Sequence, residues 1–209
     1  MFGQLVVLVS LTCLVMVTPG PDMMLVLRNT VLGGRRAGLS TSGGVLTGNL
    51  VHITYCLLGI GLLIAKSILA FAALKYAAAA YLIYLGIQTF RIASREEMTM
   101  PDDNDRSGWM RAFRQGVVVE ATNPKTAAFF LAFIPQFISV QAGHVALQFL
   151  VLGVISVLLN TGADLVAVMG AAKLHERFLH RPILFRRLRQ GSGILMASLG
   201  VGLLAARRG

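Results

Sequence analysis

Two ionisable residues stand directly behind prolines inside apolar stretches: Asp22 in Thr18-Pro19-Gly20-Pro21-Asp22, and Lys125 in Thr122-Asn123-Pro124-Lys125-Thr126. A proline inside a helix removes a backbone donor and clashes with the preceding turn. In lipid such a break is tolerated only where the freed groups face protein or water. A charge at that depth is costly and marks a functional site by default. At the second break Asn123 suits the N-cap and Pro124 the first helical position. Lys125 then sits at the positive end of a helix, at a cost of about 0.3–1 kcal/mol. A bound anion offsets that cost, because free N–H groups and an ammonium together make a carboxylate receptor. Asp22, favourable in the first turn of its own helix, supplies the complementary acid. Together they suit a zwitterion, with Asp22 for the ammonium and Asn123, Pro124 and Lys125 for the carboxylate. The plainer alternatives are that Lys125 extends to an interface or merely pairs with Asp22. The first is disfavoured, since about a dozen residues, roughly 18 Å of helical rise, separate Lys125 from either end of its span.

Five more positions could serve a solute or a proton. Asn49 and His52 lie three apart, and Asn160 and Asp164 four apart, so each pair shares a helix face. Glu120 lies five residues before Lys125. Asn49 and Asn160 are candidate solute ligands, and Asp22, His52, Glu120 and Asp164 candidate proton carriers. Against this, mid-span polar residues commonly hydrogen-bond a neighbouring helix. Glu120 and Asp164 could equally cap a helix or pair with an arginine from a loop.

Other chemistry finds little footing. There is no metal-ligand spacing, nucleotide loop or catalytic triad, so no metal, cofactor or catalytic residue is expected. Cys13 and Cys56 lack CxxC spacing and read as small buried hydrophobes. A membrane thiol relay through them is one alternative function. Export of an inorganic cation is another, disfavoured because soft ligands do not cluster. A channel would need a ring-forming filter, and nothing resembles one.

The elements that must position these residues are membrane spans. The chain is 56% hydrophobic and 13% charged, against about 25% charged in a soluble domain. Its apolar runs approach the roughly 20 residues that cross a bilayer. The net charge of +10 lies in clusters between those runs, without the pattern of a nucleic-acid binder. The expected partners are the lipid bilayer, a small zwitterionic solute and protons, with no nucleic acid. The composition leaves room for a homo-oligomer. Leu5–Val17 resembles the apolar region of a signal peptide but lacks a basic flank and a small-residue cleavage site, so it reads as a retained span.

Six spans are expected, at about 4–32 (interrupted at Pro19, Gly20 and Pro21), 37–65, 74–92, 111–137 (interrupted at Asn123-Pro124), 145–171 and 190–206. Residues 173–190 read as a basic segment at the membrane surface. The polar loop 93–110 divides a first three-helix unit, 1–92, from a second, 111–209, within one membrane domain. The architecture is all-α and polytopic, with two inverted repeats whose first helices are both broken at proline. Paired broken helices of this kind point to a transport site. Most basic residues fall in the loops between spans 1 and 2, 3 and 4, and 5 and 6. That marks the cytoplasmic side and places both termini in the periplasm.

The chain resembles the lysine-exporter superfamily, in particular its homoserine/threonine-resistance (LysE/RhtB) branch. The resemblance rests on Thr18-Pro-Gly-Pro-Asp22 followed by Gly34-Arg-Arg-Ala-Gly38, and on Ala80-Tyr-Leu-Ile-Tyr-Leu-Gly86 leading to Arg91. It continues in Asn123-Pro-Lys125 followed by Phe129-Phe-Leu and Phe133-Ile-Pro-Gln-Phe137, and in the glycine-rich last span. It implies a six-span exporter of amino acids or close derivatives in the bacterial inner membrane, driven by proton antiport. It also implies that Asp22, Asn123, Pro124 and Lys125 belong to the central site. Asp164 stands outside the family pattern.

Overall fold

The computed structural model describes residues 12, 20–66, 68–95, 108–173 and 182–205, which are helical apart from short connections. Pro19, Cys13, most of the polar loop and residues 174–181 lie outside the described residues. The helices are α1 (Pro21–Lys66), α2 (Ile68–Arg95), α3 (Trp109–Ala121), α4 (Pro124–Ala128), α5 (Val145–Lys173) and α6 (Pro182–Ala205).

Helix α1 is a hairpin of two limbs. Gly34 has φ 73° and ψ −177°, a conformation essentially confined to glycine. The limbs double back there, and Asn29 Nδ2 donates to Thr41 Oγ1 at 3.0 Å. In a straight helix these residues, twelve apart, would be separated by about 18 Å. The expected basic turn at Gly33-Gly34-Arg35-Arg36 is therefore a single-residue reversal.

Helix α3 ends at Ala121 and α4 begins at Pro124, with Thr122 and Asn123 between them. From α4 the chain continues through a π-helical turn, Phe129–Phe133, and a 3-10 turn, Ile134–Phe137. The direction changes by 42° between 109–121 and 124–137.

Residues 145–171 of α5 have a mean hydropathy of 2.0, yet only 33% of their apolar window is buried. Leu147, Val151, Leu158 and Val166 all face outward. An apolar outer face on an apolar helix fits a lipid surround. Helix α6 starts earlier than the sequence reading places it. Pro182 is a good first helical residue, so part of the expected surface segment, including the exposed Arg186 and Arg187, continues the final helix.

Helices close through small residues. A Cβ on Gly44 would fall on the carbonyl oxygen of Phe113 and 3.0 Å from the Gly116 Cα. A Cβ on Gly116 would in turn meet the Thr41 carbonyl, so α3 and the second limb of α1 touch backbone to backbone. Helices α2 and α6 meet in the same way at Gly86 and Gly193. Without a hydrophobic driving force in lipid, such close packing is what holds helices together.

Apolar side chains gather at two levels. One cluster joins Ile53 and Cys56 of α1, Phe129, Phe130, Phe133 and Ile134 after Lys125, and Phe149, Leu152 and Val157 of α5. The other level joins Val26, Val45 and Val168, with Leu27, Val31 and Ala171 beside them.

Candidate functional site

The polar residues singled out in the sequence fall between those two apolar levels. Along α5, Asn160 and Asp164 come after Val157 of one cluster and before Val168 of the other. Along the second limb of α1, Asn49 and His52 lie between Val45 and Ile53. Asp22 precedes Val26 by one turn, and Lys125 precedes Phe129 by one turn. Asp22, Asn49, His52, Glu120, Asn123, Lys125, Asn160 and Asp164 are all buried. They form one polar layer between the two apolar levels.

Six of these residues engage partners in the layer or on their own helix. Lys125 Nζ lies 3.4 Å from Asp22 Oδ1, with both side chains buried. The plainer expectation, an Asp22–Lys125 pair, is therefore observed, and it lies buried among the other polar groups. Asn123 is the N-cap of α4: its Oδ1 accepts from the Lys125 backbone N–H at 3.1 Å. Its Nδ2 donates to Glu120 Oε2 at 3.0 Å, so one side chain ties the end of α3 to the start of α4. Pro124 follows at the first helical position. His52 Nε2 donates to the Glu120 carbonyl at 2.7 Å. A carbonyl only accepts, so that bond fixes the Nε2–H tautomer and leaves Nδ1 to accept from the Tyr55 hydroxyl. The imidazole is also stacked on Phe130, with centroids 5.9 Å apart. Asn49 Nδ2 bonds its own helix, at the Val45 carbonyl.

Two residues have no such partners. Among the described residues, neither carboxylate oxygen of Asp164 finds a hydrogen-bond partner, and neither does Nδ2 of Asn160. Among the described residues no arginine pairs with Asp164; several arginines of the basic loops, Arg106, Arg177 and Arg181 among them, lie outside those residues. Asp164 nevertheless lies within electrostatic reach of Asp22, Glu120 and Lys125.

Gly20 shows how tightly the start of α1 closes on Lys125. A Cβ there would fall on Asp22 Oδ1 and 2.5 Å from Lys125 Nζ. The layer brings three carboxyl groups (Asp22, Glu120 and Asp164) together with one amine, Lys125.

Sequence reasoning missed a second polar contact. Asn29 bridges Thr41 and Gln115, donating to Gln115 Oε1 at 3.1 Å, and so links both limbs of α1 to α3. No periodicity marks it, because the partners are 86 residues apart. Tyr55 was legible in principle, since it stands one turn from His52 on the same face.

Comparison with known proteins gives this arrangement a context. The profile of the LysE type translocator family matches residues 13–207. The homoserine/homoserine lactone efflux protein of Salmonella typhimurium is 34% identical over 198 residues, covering 93% of this chain and 92% of the relative. Its counterpart in Salmonella typhi is 33% identical over the same length. An uncharacterized membrane protein of Vibrio cholerae is 33% identical over 192 residues, 90% of each chain. No solved structure matches the chain.

Proposed function

The chain belongs to the LysE type translocator family, and from that premise we propose that it exports amino acids or close derivatives across the bacterial inner membrane in exchange for protons. As a family member it is a membrane transporter and not an enzyme, which removes the thiol-relay reading of Cys13 and Cys56. Cys56 is buried in the apolar cluster beside Ile53 and Phe130.

The buried pair of Lys125 and Asp22 carries the proposal. Opening an ion pair in a low-dielectric layer leaves two uncompensated charges. A zwitterion compensates both signs at once, whereas an anion or a cation alone leaves one unpaired. The solute's carboxylate takes Lys125, and its ammonium takes a carboxylate of the same layer. The names of the Salmonella relatives, which specify homoserine and its lactone, agree with a small polar amine as cargo. Asp22, Glu120 and Asp164 are the acids available to carry the returning proton. His52 is less suited, since both ring nitrogens are engaged.

Residues 1–92 and 111–209 read as inverted repeats around this site. The packing supports that reading. Exchanging passes 1 and 4, 2 and 5, and 3 and 6 maps the contact of Val26 with Val168 onto that of α3 with the second limb of α1. The same exchange leaves the α2–α6 contact on itself. The arginine-rich connections between spans 1 and 2, 3 and 4, and 5 and 6 support a cytoplasmic face there and periplasmic termini.

The test is transport in proteoliposomes loaded with a mixed amino-acid pool under an imposed pH gradient, with mass spectrometry of what leaves. Gradient-dependent release of amino acids is expected. Release of none, or release indifferent to the pH gradient, counts respectively against the cargo and against the coupling. Lys125→Met should abolish release while the protein stays in the membrane, and normal release by that variant removes Lys125 from the site.

A further inference from the structure

We infer that Asp164, with Asn160 one turn before it, is the seat of the solute's ammonium, a role the sequence had pointed to Asp22 for. The inference rests on the export reading above and assigns its recognition chemistry. Asp164 is 1% exposed, and neither of its oxygens has a hydrogen-bond partner. A buried carboxylate keeps its charge only when it is paired and hydrogen-bonded, and no donor among the described residues bonds this one, so a bound ammonium is the partner that would hold it ionised. Asp22 makes no such demand, because the Lys125 ammonium already stands 3.4 Å from it. Bringing a second ammonium to Asp22 would crowd two like charges on one carboxylate.

The packing aims Asp164 inward. Val168, one turn further along α5, is buried against Val26 and Val45 from the two limbs of α1. The face shared by Asp164 and Val168 is therefore the protein-facing side of α5. Asp22 precedes Val26 by one turn as Asp164 precedes Val168, which brings the two acids level. A carboxylate held by Lys125 and an ammonium held by Asp164 then occupy one layer.

Asn160 narrows the class of solute. Its Nδ2 is a buried donor without an acceptor among the described residues, on the same face as Asp164 and about 6 Å along the axis. A solute that satisfies both groups carries a primary ammonium and an oxygen acceptor, as hydroxyl- or carbonyl-bearing amino acids do. An N-acylated amino acid lacks the cation and leaves Asp164 unpaired.

The experiment measures equilibrium binding to the full chain purified in detergent, independently of transport. The probes are the proteinogenic amino acids, then the carboxamide and the N-acetyl derivative of each one that binds. The carboxamide keeps the ammonium without the carboxylate, and the N-acetyl derivative does the reverse. For the wild type, carboxamides should bind and N-acetyl derivatives should not. Asp164→Asn should weaken carboxamide binding about tenfold or more, the loss expected for one charge-assisted hydrogen bond. Asp22→Asn should weaken it less, and Asp164→Glu should recover part of the affinity. The unliganded Asp164→Asn protein should melt no lower than the wild type, because it loses an unpaired buried charge. Carboxamide binding undiminished in Asp164→Asn, a larger loss in Asp22→Asn, or an Asp164→Asn variant that melts lower or does not fold would each overturn the assignment while leaving export intact. A wild type that binds no amino acid in the panel removes the export reading, and this inference with it.

Discussion

Asp22 and Lys125, 103 residues apart in the chain, meet at 3.4 Å in a layer closed to solvent. Each charge is tolerable there because of the other, and that sets the first prediction. Removing one partner of a buried pair costs about 3–5 kcal/mol, so Lys125→Met and Asp22→Asn should each lower stability. The double variant should recover most of the loss, since it leaves no orphaned charge. Export should stay absent in all three. A double-mutant cycle from denaturant titrations in detergent, run beside a transport assay, measures both. Restored export in the double variant would mean that the pair is only structural.

Asn123 serves two helix ends with one side chain. Asn123→Ala removes the cap of α4, worth about 0.5–2 kcal/mol, and frees the Glu120 carboxylate. Asn123→Asp keeps the acceptor for the Lys125 backbone N–H but loses the donor to Glu120, and sets two acids face to face. Stability should fall in the alanine variant, and export should fall in both. Thermal unfolding and export rates separate the two effects.

Gly34 reverses the chain in a region essentially closed to other residues. Nothing lies within 4 Å of a Cβ built there, so any cost of Gly34→Ala is backbone strain alone. The expected destabilisation is about 1–3 kcal/mol. An unchanged unfolding midpoint would show that the hairpin of α1 does not depend on that conformation.

Gly116 packs against the α1 backbone, whereas Gly162 of α5 has nothing within 4 Å of an added Cβ. Gly116→Leu should cost at least about 1–3 kcal/mol through overpacking. Gly162→Ala should be neutral or slightly stabilising by helix propensity. The yield of monodisperse protein and the melting temperature of each variant check the contrast.

The sequence by itself determined the material and the breaks. Apolar runs interrupted at Gly34 and Asn123-Pro124 dictate helices and where they reverse or bend, because glycine conformation and proline stereochemistry act within a few residues. The family was equally legible, since its motifs are local strings such as Asn123-Pro124-Lys125. The eight polar residues were also readable as unusual, because a polar group in an apolar run needs a reason wherever it falls. The apolar part of α6 begins at Gln190, where the last span was expected, but the helix itself opens at Pro182, because proline stereochemistry starts a helix whatever the arginines that follow it.

Only the tertiary structure decided which of those residues meet. Asp22 reaches Lys125 and Asn29 reaches Gln115 because the limbs of α1 fold over α3, and no local rule encodes a contact between residues 103 or 86 positions apart. The same packing leaves Asp164 without a partner although its own turn looks no different from that of Asn49. Whether a buried charge is satisfied depends on which helix arrives opposite it, and that is settled by backbone approach at residues such as Gly44 and Gly116, far from the charge itself.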